Sequence, residues 1–115
     1  MKYLLFVCWD REVMDRQTEA AEDEAEGFPW LDELQARGAW ITGDQLAPAR
    51  TARSVRVRNG ETLVSDGPFA ETKEAVGGFD LIEAGSLEEA VEIAAGHPVA
   101  ALGTIEVRPL FHSGA

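Results

Sequence analysis

Cysteine, histidine and positive charge are all scarce in this chain. The one cysteine, Cys8, excludes an internal disulfide and a cysteine-based metal cluster. Nothing near it in sequence would lower its pKa, so it reads as a buried, inert thiol rather than a nucleophile. Ten lysines and arginines against 21 carboxylates leave a net charge of -11. That balance excludes nucleic acid as a partner, because phosphates demand a basic surface. No run of about 18 apolar residues is present, which excludes a membrane-spanning helix. There is no Ser/His/Asp set, phosphate loop or dinucleotide fingerprint, so no cofactor is expected.

What is present fits one globular domain over residues 1–115, 45% hydrophobic and large enough for one modest core. Met1 to Trp9 begins like a signal peptide, but it runs into Asp10, Arg11 and Glu12 with no small-residue cleavage site. It reads as a first strand, and the protein as cytoplasmic. The charge is unevenly spread. Residues 10–34 hold ten carboxylates against Arg11 and Arg16, whereas residues 50–58 hold Arg50, Arg53, Arg56 and Arg58 and no acid. This is either a solvated acidic helix face beside a basic hairpin, or a basic patch that meets an anionic ligand or an acidic partner surface.

Along the chain, Tyr3 to Trp9 suits a strand buried on both faces. Residues 10–17 form a polar connection. Thr18 to Arg37 has a helical pattern that stops at Gly38, with a kink or fresh start near Phe28 imposed by Pro29. Trp40 to Leu46 predicts a second strand. Ser54 to Arg58 alternates strictly, Asn59-Gly60 is a hairpin turn, and Glu61 to Ser65 returns. Gly78 to Ala84 predicts another strand. Ser86-Leu87-Glu88-Glu89 is a capping box that opens a helix ending at Gly96, before Pro98. Gly103 to Leu110 is the last strand. Setting the hairpin aside, the order is strand, helix, strand, strand, helix, strand. The fold class is α+β, a ferredoxin-like βαββαβ arrangement with an inserted β-hairpin. Two helices cover only one face of such a sheet, yet the first strand is apolar on both parities. A homodimer packed sheet on sheet covers the second face.

Ser65 to Phe79 packs a turn, a charged segment and a double glycine into fifteen residues. This stretch resembles the signature of the DGPF-type branch of the YCII-related proteins. The likeness extends to the early strand, Leu46-Ala47-Pro48, the strands around Arg56 and Gly60, Ser86 to Ala94, and Ile105 to Pro109. It thins around residues 10–27. The resemblance implies a ferredoxin-like protomer in a dimeric α/β barrel. Shorter YCII-related proteins carry a histidine in the first helix and an Asp-Pro after the second. Here those positions are Gly27 and His97-Pro98, so that acid–base pair is not carried over. Members of this branch also occur beside, or fused to, sigma-factor genes, which implies a sigma-factor-related protein partner as an alternative.

The candidate site residues lie in the signature. Asp66 is either the cap of a turn made by Gly67 and Pro68 or a base that faces a cleft. Glu71 and Glu74 are three apart, so one helical turn would put both on one side, with Lys73 between them. Such a pair does acid–base work if burial raises one pKa, and is otherwise solvated or ion-paired. No histidine or third carboxylate adjoins it, so no metal is expected. Gly77-Gly78 allows close approach of another chain or a ligand. Glu106 and Arg108 share a face of the last strand, where they can pair with each other or line a barrel interior. His97, at a helix C-terminus, reads as a capping or surface group. Two functions stand against each other. One is a dimeric small-molecule-binding protein or cofactor-free lyase- or isomerase-like enzyme, with Asp66, Glu71, Lys73 and Glu74 at the ligand and Asp66 or Glu71 as base. The other is a non-catalytic interaction module in transcription regulation.

Overall fold

The computed structural model describes residues 1–13, 29–69 and 72–112. Its main sheet has four strands: β1 (Lys2–Asp10), β2 (Trp40–Gln45), β5 (Glu74–Glu83) and β6 (Thr104–Pro109). They lie in the order β2-β5-β1-β6, with β1 antiparallel to both neighbours. This is the ferredoxin-like order predicted from the sequence. Helices α1 (Pro29–Ala36) and α2 (Leu87–Ala95) pack on one face, and β3 (Arg53–Arg58) and β4 (Glu61–Asp66) pair apart as a hairpin.

The sheet is organised by the parity of β1. Tyr3, Leu5 and Val7 point to the helices and are almost wholly buried. They meet Ile82 of β5, Leu34 of α1, and Ala90, Ile93 and Ala94 of α2 in one cluster. Each large side chain in it contributes on the order of 1.5–3 kcal/mol. Leu4, Phe6 and Cys8 point the other way and are only half-buried. Their register partners are Leu81, Phe79 and Val76 on β5, and Arg108, Glu106 and Thr104 on β6. Arg108 pairs with Glu106 at 2.9 Å, and its guanidinium lies over Phe6 at 5.7 Å.

Local chemistry sets the element ends. Asp10 closes β1, and its carboxylate accepts from the N–H groups of Glu12 and Val13, capping a helical turn where the sequence predicts a polar connection. The part of the predicted helix between Thr18 and Phe28 lies outside the described residues. Helix α1 starts at Pro29, whose missing N–H costs nothing in a first turn. It ends where Gly38 takes φ 70° and Ala39 N–H donates to Leu34 O at 2.8 Å. Ser86 caps α2 by accepting from Glu89 N–H at 3.1 Å. The Glu89 carboxylate reaches back one residue further than a capping box does, to Gly85 N–H at 2.8 Å. Asn59 and Gly60 take φ 53° and 79°, the left-handed pair a tight hairpin requires.

Strand β5 starts at Glu74, four residues ahead of the predicted Gly78. The sequence shows a charged segment there, but the ladder carries on and pairs Asp10 with Glu74, across a bulge beside Val7 and Cys8. Gly77-Gly78 sits in the strand interior. Leu46 N–H donates to Gly77 O at 2.8 Å, and a side chain at Gly78 would come within 3.2 Å of Asp44 O. Gly78 thus serves backbone approach from β2. Among the described residues no helix is long and apolar enough to cross a membrane.

Gly103 is the tightest glycine, because an added Cβ would collide with the Cys8 carbonyl oxygen and lie 3.0 Å from Trp9 Cα. Gly103→Ala should cost about 2–3 kcal/mol, since backbone must shift to admit it. At Gly60 an added Cβ meets nothing within 4 Å, so the cost of Gly60→Val is mainly backbone strain at φ 79°, about 1 kcal/mol or more. Equilibrium urea denaturation checks both, and an unchanged midpoint for Gly103→Ala would contradict the β1–β6 approach.

Candidate ligand cleft

A cleft of about 500 Å³ opens where β2 leaves the sheet. Leu46-Ala47-Pro48 crosses its rim and turns through a short 3₁₀ segment, Ala49–Thr51, in which Thr51 donates both its N–H and its hydroxyl to Pro48 O. The opposite wall is Cys8 and Glu74–Val76, the low end of the half-exposed sheet face. Pro68 and Thr72, from the two sides of the signature, close the third side. Apolar groups form most of the wall, and its one carboxylate among the described residues is Glu74.

Glu74 is half-buried and held from two directions. Its side chain accepts from the Thr104 hydroxyl at 2.9 Å, and its carbonyl accepts from the Thr72 hydroxyl. Cys8 faces the same space. Burial pushes its thiol pKa up, and the carboxylates of Glu106 and Glu74 add to the effect. The thiol stays protonated and donates weakly to Phe6 O at 3.7 Å. It is a polarizable wall group and not a nucleophile.

The other predicted residues are dispersed. Lys73 borders a neighbouring depression with Asp10, Arg11 and Glu12, and its carbonyl accepts from Arg11 N–H at 3.0 Å. Asp66 ends β4 outside the cleft, with its side chain 90% exposed and 3.2 Å from Arg53. Glu71 lies outside the described residues. Glu74 begins a strand and not a helical turn. The cleft therefore offers one anchored carboxylate in apolar surroundings, suited to orienting a ligand that donates a hydrogen bond or carries a positive charge. Among the described residues, no three histidine, cysteine or carboxylate side chains converge to hold a metal ion.

Sequence reasoning missed a buried polar pair on the helix side of the sheet. Asp80 and His97 approach to 3.7 Å, with side chains 13% and 7% exposed. The Asp80 carboxylate also accepts from Trp40 Nε1–H at 3.0 Å. Gly43 makes the room, since a Cβ there would lie 2.6 Å from the Asp80 oxygen. His97 Nδ1 accepts from Val99 N–H at 3.0 Å, capping the 3₁₀ turn Pro98–Ala101, and the Trp30 ring meets the imidazole edge-on at 4.7 Å. With Nδ1 accepting, the neutral ring carries its proton on Nε2, towards Asp80. Burial lowers the His97 pKa, opposed by Asp80. Burial raises the Asp80 pKa, opposed by the Trp40 hydrogen bond and then by His97. His97 thus caps a turn, the first of the two roles its sequence position suggests, but from a buried site and not from the surface. The available signal was the inward parity of Asp80, two residues before the buried Ile82.

The sequence profile of the YCII-related domain matches residues 1–113. An uncharacterized protein of Rhizobium meliloti (strain 1021) is 48% identical over 68 residues, 57% of this chain and 55% of that protein. The chain thus spans about half the length of that curated relative.

The buried pair sets a pH dependence. Unfolded His97 takes up a proton as pH falls through its ordinary 6.5, before the folded form does, so its contribution to stability drops between that value and its lowered folded one. Asp80 works oppositely, because its raised folded pKa adds stability as pH falls towards the ordinary 3.8. His97→Asn keeps an acceptor for Val99 N–H and removes the titration. The melting-temperature advantage of the wild type over this variant should shrink between about pH 7.5 and about pH 5.5. A constant difference across that range would contradict a neutral, buried His97.

Proposed function

The chain belongs to the YCII-related domain family, and from that premise we propose that it is a dimeric small-molecule-binding protein whose ligand occupies the cleft beside Glu74. The carrying observation is a mostly apolar cleft of ligand size with one carboxylate pinned by Thr104. The ligand class that fits is a small, largely apolar or aromatic molecule bearing an amine or hydroxyl donor. If the ligand is turned over in a lyase- or isomerase-like reaction, Glu74 is the described cleft residue able to accept its proton. The run Asp66 to Phe69 supports a place in the DGPF-type branch, and one free thiol suits the reducing cytoplasm.

The dimer reading rests on the sheet face opposite the helices. Leu4, Phe6, Phe79 and Leu81 form a half-buried apolar stripe, with the Glu106–Arg108 pair along one side. A second copy docked sheet to sheet would dry this stripe and roof the cleft, since Cys8 and Val76 continue the same face. The alternative is a non-catalytic module that contacts a sigma-factor-related protein. Its support is Leu87 and Val91, one turn apart on α2 and 46% and 51% exposed.

A thermal-shift screen of aromatic amines and alcohols tests the cleft. A stabilising compound should lose affinity at least about tenfold in Glu74→Gln, from the ~1.5–3 kcal/mol of a hydrogen bond to a charged group. Asp66→Asn should bind as the wild type does, because Asp66 stands outside the cleft. Equal binding by Glu74→Gln would remove Glu74 from the site. A screen without any stabilising compound would favour the interaction module.

Light scattering should give about twice the chain mass for the wild type and a monomer for Leu81→Lys. A monomeric wild type would overturn the dimer.

A further inference from the structure

Among its described residues, the cleft beside Glu74 is rich in acceptors and commits every side-chain donor elsewhere. Three wall residues carry a side-chain proton, and each gives it to a backbone carbonyl. Thr51 donates to Pro48 O at 2.7 Å, Thr72 to Glu74 O, and the Cys8 thiol weakly to Phe6 O at 3.7 Å. The rim backbone is committed in the same way. Leu46 N–H donates to Gly77 O at 2.8 Å and Ala52 N–H to Ala49 O at 3.0 Å, while Pro48 and Pro68 have no N–H. None of the hairpin arginines stands in the wall.

Glu74 is the charged acceptor that remains. The Thr104 hydroxyl donates to its Oε1 at 2.9 Å. Among the described residues, no group donates to Oε2 and no arginine or lysine pairs with the carboxylate. A half-buried carboxylate without a counter-ion gains most from a ligand that brings positive charge, because a neutral donor leaves the charge uncompensated as water is displaced. An anion is disfavoured twice. It meets no uncommitted side-chain donor among the described residues, and it meets negative charge, since Glu106 and Glu74 both lie close enough to raise the Cys8 thiol pKa. The net charge of -11 draws cations to the chain as a whole. No aromatic ring lines the cleft among the described residues, so a quaternary ammonium would lack the ring faces that usually hold it.

We infer that the cleft takes a primary ammonium: Glu74 Oε2 accepts one of its N–H bonds, and the apolar body of the ligand lies against Leu46, Pro48, Pro68 and Val76. The inference rests on the cleft reading above and narrows it to one charge class. Carboxylates, phosphates and neutral alcohols of the same shape are poor ligands.

A matched set of ligands tests the charge class on the full chain. Phenethylamine, its trimethylammonium analogue, phenethyl alcohol and phenylacetate are titrated at neutral pH and physiological ionic strength, with amide NMR shifts of Cys8, Ala75 and Val76 reporting the cleft. The amine should bind at least about tenfold more tightly than the alcohol, and phenylacetate more weakly than either. Glu74→Gln should bring the amine down to the affinity of the alcohol. Glu61→Gln removes the same charge from the exposed end of the hairpin and should change the amine affinity less than about twofold. An alcohol or carboxylate that binds the cleft as tightly as the amine overturns the charge class and leaves the cleft reading standing. A trimethylammonium that binds as tightly overturns N–H donation to Glu74. Unchanged amine binding in Glu74→Gln, or equal weakening in Glu61→Gln, overturns the Glu74 contact in favour of diffuse charge. If no compound shifts the three amides at about 10 mM, the inference and the cleft reading are overturned together.

Discussion

The packing of β1 between β5 and β6, with α1 and α2 on one side and no described element on the other, is the constraint on which the remaining features depend. A central strand with apolar residues on both parities has to divide them between two environments. Tyr3, Leu5 and Val7 take the helix side and form the core with Leu34, Ile82 and the small residues of α2. Leu4, Phe6 and Cys8 are left on a face that no element among the described residues covers. The small side chains Ala90 and Ala94 let α2 lie close to the sheet, and the Trp30 indole N–H ties α1 to Ile93 O of α2 at 2.7 Å.

The cleft follows from the same strand pairing. β5 extends past the double glycine to Glu74, while β2 departs at Gln45. The space between them is walled by the start of one strand and the exit of the other. Thr104, from the start of β6, reaches across to anchor Glu74. The cleft and the open face are therefore one continuous surface, and a protein covering the face would also restrict access to the cleft.

Asp80 and His97 show how the core tolerates buried polar groups. A carboxylate facing the helix layer is costly unless it is hydrogen-bonded. Here Trp40 donates to it, His97 stands opposite, and Gly43 leaves it room. The imidazole in turn caps a turn that leads into β6. The pair thus joins β5 to the connection between α2 and β6, on the opposite side of the sheet from the cleft. A His/Asp approach alone is not evidence of catalysis, because the imidazole is already committed on Nδ1 and shielded from solvent.

Features governed by short-range chemistry were legible in the amino-acid sequence. Asn59-Gly60 closes its hairpin because positive φ is a property of those two residues. Ser86 caps α2, and Pro29 and Gly38 bracket α1, for equally local reasons. The order of elements restricted the fold to a ferredoxin-like sheet, because connection rules leave few alternatives. What depended on distant partners was not legible. Thr104, thirty residues on, anchors Glu74, while Arg53 draws Asp66 away from the cleft, so two carboxylates of one signature have different surroundings. Strand β5 starts early because Asp10 offers a ladder partner that no local pattern reveals. Burial against Trp30 and the α2 layer disfavours a charged His97, with Asp80 opposing it, a balance that its place after a helix does not reveal. Local sequence determines dihedral preferences, caps and periodicity. Burial and long-range pairing, which decide charge state and site membership, are properties of the assembled sheet.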